Sequence, residues 1–273
     1  MIRQTFAEYV ADEAVNYSSL KYIDDSPLHY LHHLHNERKD TPSLALGRVT
    51  HSLVFEPDRI EHEYAVWEEG DRKGNAYKDF VAANEGKTIF KPAEIVGARR
   101  MAEAVRASPL VRPYLTDGLF EQTIKWADLL TGLDCKARPD WLTRGVLADL
   151  KTTRNADPRR FARDVASYGY HRQLAHYSNG LGWVPEKVIL IAVENTEPHD
   201  VLVYQLPDDA LMVGADCVAR WLRQLAWCKA HNRYPGRAAK WLEDEGRYDV
   251  PREELLSLPD WILGEQIITE GEE

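Results

Sequence analysis

The spacing of apolar residues changes character along this chain, and the change predicts its architecture. "NYSSLKYIDDSPLHYLHHLHNE" predicts a short helix around 18–23, a break, and a second helix from Pro27. Ser26 suits the N-cap, and Pro27 the first turn, where a missing N–H costs nothing. In "PSLALGRVTHSLVFEP", Leu46, Val49, Leu53 and Val54 recur at helical spacing on one face, and Pro57 closes the element. Residues 58–90 hold no period and are expected to be irregular, with one strand at "YAVWE". "PAEIVGARRMAEAVRAS" predicts a helix that Pro109 and Pro113 close.

The pattern then shortens. "FEQTIKWAD", "LDCKARPDWL" and "VLADLKTT" predict three strands joined by turns. "DPRRFARDVASYGYHRQLAHYSNGLG" predicts one long helix, with Asp157 at the N-cap, Pro158 first and glycines at its end. "EKVILIAVEN" is the continuous apolar run expected of a central strand covered on both faces, and "DVLVYQL" pairs beside it. "DDALMVGADCVARWLRQLAWCKAHN" predicts a final long helix. From about Tyr234 the chain is rich in proline and acid, as expected of a tail wrapped over the surface. This order predicts an α/β fold with a mixed central β-sheet flanked by helices. A single domain is expected: a mainly helical part (1–113), an α/β core (114–232) and an acidic C-terminal tail (233–273).

Composition narrows the class. The 273 residues are 44% hydrophobic and 29% charged, as in soluble globular proteins. No apolar run approaches the ~18 residues that span a bilayer. Acids stand near the start where a signal peptide needs its apolar stretch. The expectation is a cytoplasmic protein with no membrane partner. Cys135, Cys217 and Cys228 are scattered without a CxxC, against a disulfide framework, a zinc site or an iron–sulfur cluster. A net charge of −10 weighs against nucleic acid. The charge is uneven, however. Residues 154–172 carry Arg154, Arg159, Arg160, Arg163 and Arg172 against only Asp157 and Asp164. Such a strip on an acidic body can grip phosphates.

"CKARPDWLTRGVLADLKTT", residues 135–153, holds the chemistry. If Arg144 and Gly145 form a two-residue turn, Trp141 faces Ala148, Leu142 faces Leu147 and Asp140 faces Asp149. Alternation then puts Pro139, Trp141, Val146, Ala148 and Leu150 on an apolar face. Arg138, Asp140, Asp149 and Lys151 share the other. Opposed carboxylates destabilise a sheet, and a divalent cation removes that cost. Carboxylates and water suit Mg²⁺. Lys151 would orient or help deprotonate a water attacking phosphorus, and neutralise charge in the transition state. The alternative is a surface hairpin in which Lys151 and Arg138 merely neutralise the aspartates. Tyr170, Gln173 and Tyr177 fall on one helix face, and the glutamine separates them from a plain core stripe. His29, His32 and His33 also share helical spacing, but no carboxylate accompanies them, and they are read as surface histidines.

Pro139-Asp140 followed by Asp149-Leu150-Lys151 resembles the signature of the PD-(D/E)XK nuclease superfamily. "LGRVTHSLVFEP", with Gly47 and His51, is similar to the G-x-x-x-H segment of its RecB-like and RecE-like branch. "YGYHRQLAHYSNGL" is similar to that branch's downstream helix motif, and "SSLKYIDDSPLHYLHH" to its N-terminal entry. "CKARPDW" and "DLKTT" resemble the RecE exonuclease, the exodeoxyribonuclease VIII type, most specifically.

The resemblance implies that His51, Asp140, Asp149 and the Leu150 carbonyl ligate Mg²⁺, with Mn²⁺ as a substitute. It makes Lys151 the catalytic lysine and Glu121 a ligand, direct or through water. It puts Gln173 and Tyr177 near the scissile phosphate. It further implies an exonuclease on linear double-stranded DNA, running 5′ to 3′ and leaving a 3′ overhang. Its partner would be a single-strand annealing protein of the RecT or Bet type, in a bacterial or phage-infected cell. A homo-oligomeric ring, a tetramer, would surround the DNA. A restriction-type endonuclease, a non-catalytic DNA-end binder and a glycosidase using Asp140 and Asp149 are the competing readings. Lys151 fits the glycosidase poorly, because it would hold the required acid ionised.

Overall fold

The computed structural model describes residues 1, 2, 4–36, 41–57, 60–115, 118–143, 145–249, 256 and 257. Its first part is helical. α1 (Phe6–Ala11) opens on a capping box, in which the Glu8 N–H donates to the Thr5 hydroxyl and the Thr5 N–H to the Glu8 carboxylate. α2 (Tyr17–Leu20) runs into a 3₁₀ turn, Lys21–Ile23. α3 (Pro27–His35) starts as the sequence predicts, with the Ser26 hydroxyl accepting from the His29 N–H at 3.3 Å. α4 (Pro42–Phe55) follows on the Thr41 cap.

Residues 60–90 are more ordered than their lack of period predicts. They form α5 (Ile60–Glu63), β1 (Tyr64–Val66), α6 (Gly74–Ala83) and β2 (Thr88–Phe90). The expected strand at "YAVWE" is β1, which pairs in parallel with β2. Tyr64 packs on Phe90, and Trp67 on Tyr77 and Phe80. The Tyr64–Phe90 contact and the parallel pairing of β1 with β2 join residues too far apart for a periodicity window to register. α7 (Pro92–Ala107) and α8 (Arg112–Leu115) complete the N-terminal part.

The three expected strands are divided more finely. β3 (Leu119–Phe120) and β4 (Ile124–Ala127) replace the first, and β5 (Asp134–Ala137) and β6 (Trp141–Leu142) the second. β7 (Val146–Thr153) is continuous. The first arm breaks at Glu121, whose φ of 50° is a left-handed conformation costly to a residue with a Cβ. The second breaks around Pro139, which has no N–H for a ladder. One pair of chain arms therefore makes two separate ladders. β4 and β5 form a two-stranded sheet of their own, while β3 and β6 join the main sheet.

α9 (Pro158–Tyr168) and α10 (Tyr170–Asn179) replace the expected single long helix. Gly169 divides them at φ 70°. A Cβ there would lie 2.4 Å from the Tyr17 hydroxyl, which donates to the Gly169 carbonyl at 2.8 Å. β8 (Lys187–Glu194), β9 (Val201–Gln205) and α11 (Asp208–His231) match their expected places. The start of the expected surface tail instead forms a hairpin of β10 (Lys240–Leu242) and β11 (Arg247–Asp249). The rest of that tail lies outside the described residues, apart from 256 and 257.

The main sheet has the order β3-β6-β7-β8-β9. β7 and β8 run parallel, and the other neighbours are antiparallel, so the sheet is mixed as predicted. Leu147, Val188, Leu190 and Ala192 face a core with Phe161, Leu174, Trp221 and Leu225 from α9, α10 and α11. Ala148, Leu150, Ile189 and Ile191 face a second core with Val49 and Val54 of α4 and Ala98, Met101 and Val105 of α7. Each fully buried leucine or isoleucine contributes about 1.5–3 kcal/mol. Both faces of β7 are therefore covered, so Asp149 and Lys151 do not look out on solvent as a surface hairpin requires. Among the described residues, no helix is long and apolar enough to cross a membrane.

The Gly169 break yields a stability prediction. Gly169→Ala should cost about 2–3 kcal/mol, from left-handed strain and a displaced Tyr17 hydroxyl, and Tyr17→Phe about 1 kcal/mol. Urea unfolding measures both. Equal stability of Gly169→Ala and wild type would contradict the break.

Candidate active site

The two ladders part between Glu121–Thr123 on one arm and Arg138–Asp140 on the other, and the site occupies this gap. The observed register, Trp141 opposite Ala148 and Leu142 opposite Leu147, is the one the two-residue turn predicts. The ladder ends there. Asp140 leaves the sheet and accepts the Leu150 N–H at 2.6 Å. The N–H and C=O of one strand residue point to the same side. The Leu150 carbonyl thus opens toward Asp140, away from β8.

Helices from opposite faces of the sheet meet at this point. Gly47 of α4 faces Thr152 of β7; a Cβ there would make an ordinary contact, 3.6 Å from the Thr152 hydroxyl. One turn later His51 Nδ1 lies 3.1 Å from Asp140 Oδ2. From the other face, α10 supplies Gln173. Its Oε1 accepts from Lys151 Nζ at 3.0 Å, and its Nε2 donates to the Tyr177 hydroxyl at 2.7 Å. Asp149 Oδ1 lies 3.4 Å from the same Nε2, and Asp149 Oδ2 lies 2.5 Å from Lys151 Nζ. The ammonium also sits 4.6 Å from the Tyr170 ring centroid. Asp140 and Asp149 are only 8% and 2% exposed.

Glu121 joins from the strained turn rather than from a strand, as the sequence led us to expect. Its N–H donates to the Asp140 carbonyl at 3.2 Å, and Arg138 Nε donates to its carboxylate at 2.7 Å. Ligand atoms of His51, Glu121 and Asp140 all lie within 4.8 Å of one another.

The electrostatics follow from crowding like charges out of water. Burial, then the Asp140 charge, push Asp149 up to about 6 against the pull of Lys151. The same two causes push Glu121 up to about 7, opposed by Arg138 and His51. Burial works against ionised Asp140 too, yet His51, Lys151 and the Leu150 N–H hold it below the usual carboxylate range. Burial opposes the His51 imidazolium, but Asp140 outweighs it and the pKa rises to about 9. For Lys151, Asp149 and Asp140 likewise outweigh burial and raise the pKa. Burial lifts Tyr177 well above its ordinary value. Buried carboxylates pushed toward their protonated form are what a divalent cation relieves, by taking the proton's place. The oxygen and imidazole donors of His51, Glu121 and Asp140 fit one, with the Leu150 carbonyl on the same side.

The arginines divide. Arg154, Arg159, Arg160 and Arg163 are exposed just beyond the end of β7 or on α9, whose first turn is capped by Asp157 as predicted. Arg172 is engaged within the protein, 3.2 Å from Asp24 and 5.3 Å from the Trp221 ring centroid. His29 is bound to the Ser26 hydroxyl at 2.6 Å and His33 stacks on Tyr22, which accounts for two of the α3 histidines.

Two cations have structural tasks that the sequence did not give them: Arg138 was read beside the aspartates, and Lys136 was not assigned. Arg138 grips Glu121. Lys136, 1% exposed, donates to the carbonyls of Tyr9 and Asp12 and so ties α1 to β5. The alternation Lys136, Arg138, Asp140 along one strand face was the available signal.

The family model for a PDDEXK-like domain of unknown function (DUF3799) matches residues 16–241. The chain belongs to that family, in keeping with its resemblance to PD-(D/E)XK nucleases. The crystal structure of a "Putative exonuclease" from Eubacterium rectale is similar at 16% identity and a TM-score of 0.58. That match covers 97% of this chain and 100% of the other, and it shows a shared fold. The crystal structure of SSO0001 aligns at 14% identity over 83% of this chain and 95% of its own, with a TM-score of 0.29 that bears no weight. No curated protein matches the chain. Family and site together support nuclease chemistry in general and the divalent metal that PDDEXK nucleases use.

The carboxyl and imidazole shifts predict how stability responds to pH. Folded Asp149 holds its proton between 3.8 and about 6, Glu121 between 4.5 and about 7, and His51 between 6.5 and about 9, where the unfolded chain does not. Stability in EDTA should therefore fall as pH rises through these windows. Mg²⁺ or Mn²⁺ should stabilise more at pH 8 than at pH 5, because binding displaces those protons. Thermal unfolding with and without metal measures both. A metal effect that is larger at pH 5 would contradict the assignment.

Proposed function

We propose that this protein is a metal-dependent exonuclease that hydrolyses phosphodiesters of linear double-stranded DNA from 5′ to 3′, leaving a 3′ overhang. The observation that carries the reading is Lys151 held between Asp149 and Gln173 beside the His51, Glu121 and Asp140 donors. His51, Asp140, Asp149, Glu121 and the Leu150 carbonyl would hold Mg²⁺ or Mn²⁺. When bound, the cation supplies positive charge at the phosphate and makes water a nucleophile near neutral pH. Lys151 orients that water and neutralises charge on the phosphorane-like transition state. Gln173 and Tyr177 fix the lysine's position by an unbroken chain of hydrogen bonds. Asp149 keeps the lysine charged until the phosphate arrives.

Arg154, Arg159, Arg160 and Arg163 track the DNA backbone by contacts that carry no sequence information. Arg172 contributes by holding α10 in place through Asp24 and Trp221. The catalytic unit is one domain over 1–273. Its resemblance to RecE-like enzymes extends the proposal to a homo-oligomeric ring acting in the cytoplasm with a single-strand annealing protein.

Digestion of linear duplex DNA labelled at either end tests the reading, in Mg²⁺, Mn²⁺ or EDTA, with a closed circle as control. Early loss of the 5′ label, dependent on metal and sparing the circle, is expected. Lys151→Ala should lower kcat about a hundredfold or more. Cleavage of the circle would make the protein an endonuclease. Cleavage of no DNA in either metal would overturn the catalytic reading. Removing Arg159, Arg160 and Arg163 together as alanines should flatten the slope of log affinity against log salt by about 2–3.

A further inference from the structure

Tyr168 and Tyr170 stack, with ring centroids 5.7 Å apart and planes 28° from parallel. Residues two apart in an unbroken helix point to nearly opposite sides and cannot stack. The left-handed Gly169 between them, tethered by the Tyr17 hydroxyl, makes the pairing possible. The inner ring, Tyr170, takes the Lys151 ammonium 4.6 Å from its centroid and packs on Phe161. The outer ring, Tyr168, is 62% exposed. Tyr170 thus lies against the lysine, and its outer neighbour stands on the helix that carries the exposed Arg159, Arg160 and Arg163.

The geometry points to Tyr168 as a stacking platform for a nucleobase at the DNA end, a specificity residue beside the cleavage site. The inference rests on the nuclease reading for its setting. Every base has a π-face, so the platform tolerates any sequence. A base inside a paired duplex has both faces covered. A terminal pair exposes one face but is held in line with the duplex, whereas an unpaired terminal base is free to swing onto the ring. Tyr168 therefore favours ends whose terminal base is unpaired, and ends that fray easily are cut faster than ends closed by G·C pairs. The ring is held by packing and rotates about only two torsions, so ordering it costs little. The break at Gly169 acquires a purpose beyond ending a helix: it turns two aromatic residues into one platform with a cation under its inner edge.

Cleavage of short duplexes with ordinary ends and with tetrahydrofuran abasic residues at the terminal nucleotides tests this. Tyr168→Ala should lose about tenfold in kcat/KM on ordinary ends, through KM and with kcat nearly unchanged. Tyr168→Phe and Tyr168→Trp should keep wild-type values. Abasic ends should slow the wild type to the level of Tyr168→Ala and leave that variant unaffected. An equal loss on both kinds of end, or a loss in kcat alone, overturns the platform. The same comparison is made as binding of fluorescein-labelled ends in EDTA, which needs no turnover. Binding that depends on Tyr168 and on the base, without cleavage in either metal, overturns the nuclease reading and leaves the platform standing. Cleavage indifferent to Tyr168 does the reverse. A wild type that neither cuts nor binds DNA overturns both.

Discussion

Two carboxylates, Asp140 and Asp149, are held almost out of water within reach of each other, and the surrounding structure exists to make that tolerable. An isolated buried carboxylate is costly enough that it ordinarily takes up a proton. Here each is answered by a different cation. His51 faces Asp140 at 3.1 Å and Lys151 faces Asp149 at 2.5 Å. Glu121 adds a third carboxylate, and Arg138 answers it. Burial outweighs these cations at Asp149 and Glu121, whose carboxyls are pushed up to about 6 and 7. Buried oxygens that hold protons in this way gain from a divalent cation that replaces them.

The fold supplies that arrangement by splitting a hairpin. Had the arms of "FEQTIKWAD" and "LDCKARPDWL" paired throughout, Glu121, Arg138 and Asp140 would be ordinary ladder residues. The strained Glu121 and the donorless Pro139 end one ladder and start another, and the freed backbone and side chains converge in the gap. The two cores then act as jaws. α4 brings His51 from one face of β7, and α10 brings Gln173 and Tyr177 from the other. Gly169 is placed where the chain must turn to start α10.

Much of the site was legible because it is local. Asp149, Leu150 and Lys151 lie on one strand of a tight hairpin and Asp140 stands one residue before the other, so their nearness follows from the local chain. His51, Gln173 and Tyr177 came from short motifs whose spacing carried information, although only packing could show that they converge. Glu121 was read on a strand and sits on a left-handed turn, because nothing in local composition distinguishes a strained glutamate from an extended one. The arginines read as one strip were divided by tertiary contacts. Arg172 lies against Asp24, far off in sequence.

Hydrophobic spacing determined the sequence of helices and strands, the mixed sheet and the buried central strand. Each of those follows from which residues must leave water, and that is written in the order of side chains. The division of the long helix at Gly169, the order found between residues 60 and 90 and the parting of the two ladders were decided only in three dimensions. The stabilising contacts there run between residues distant along the chain, such as Tyr17 with Gly169 and Tyr64 with Phe90. A local pattern records what a segment prefers, and the tertiary structure determines which preferences are overruled by packing.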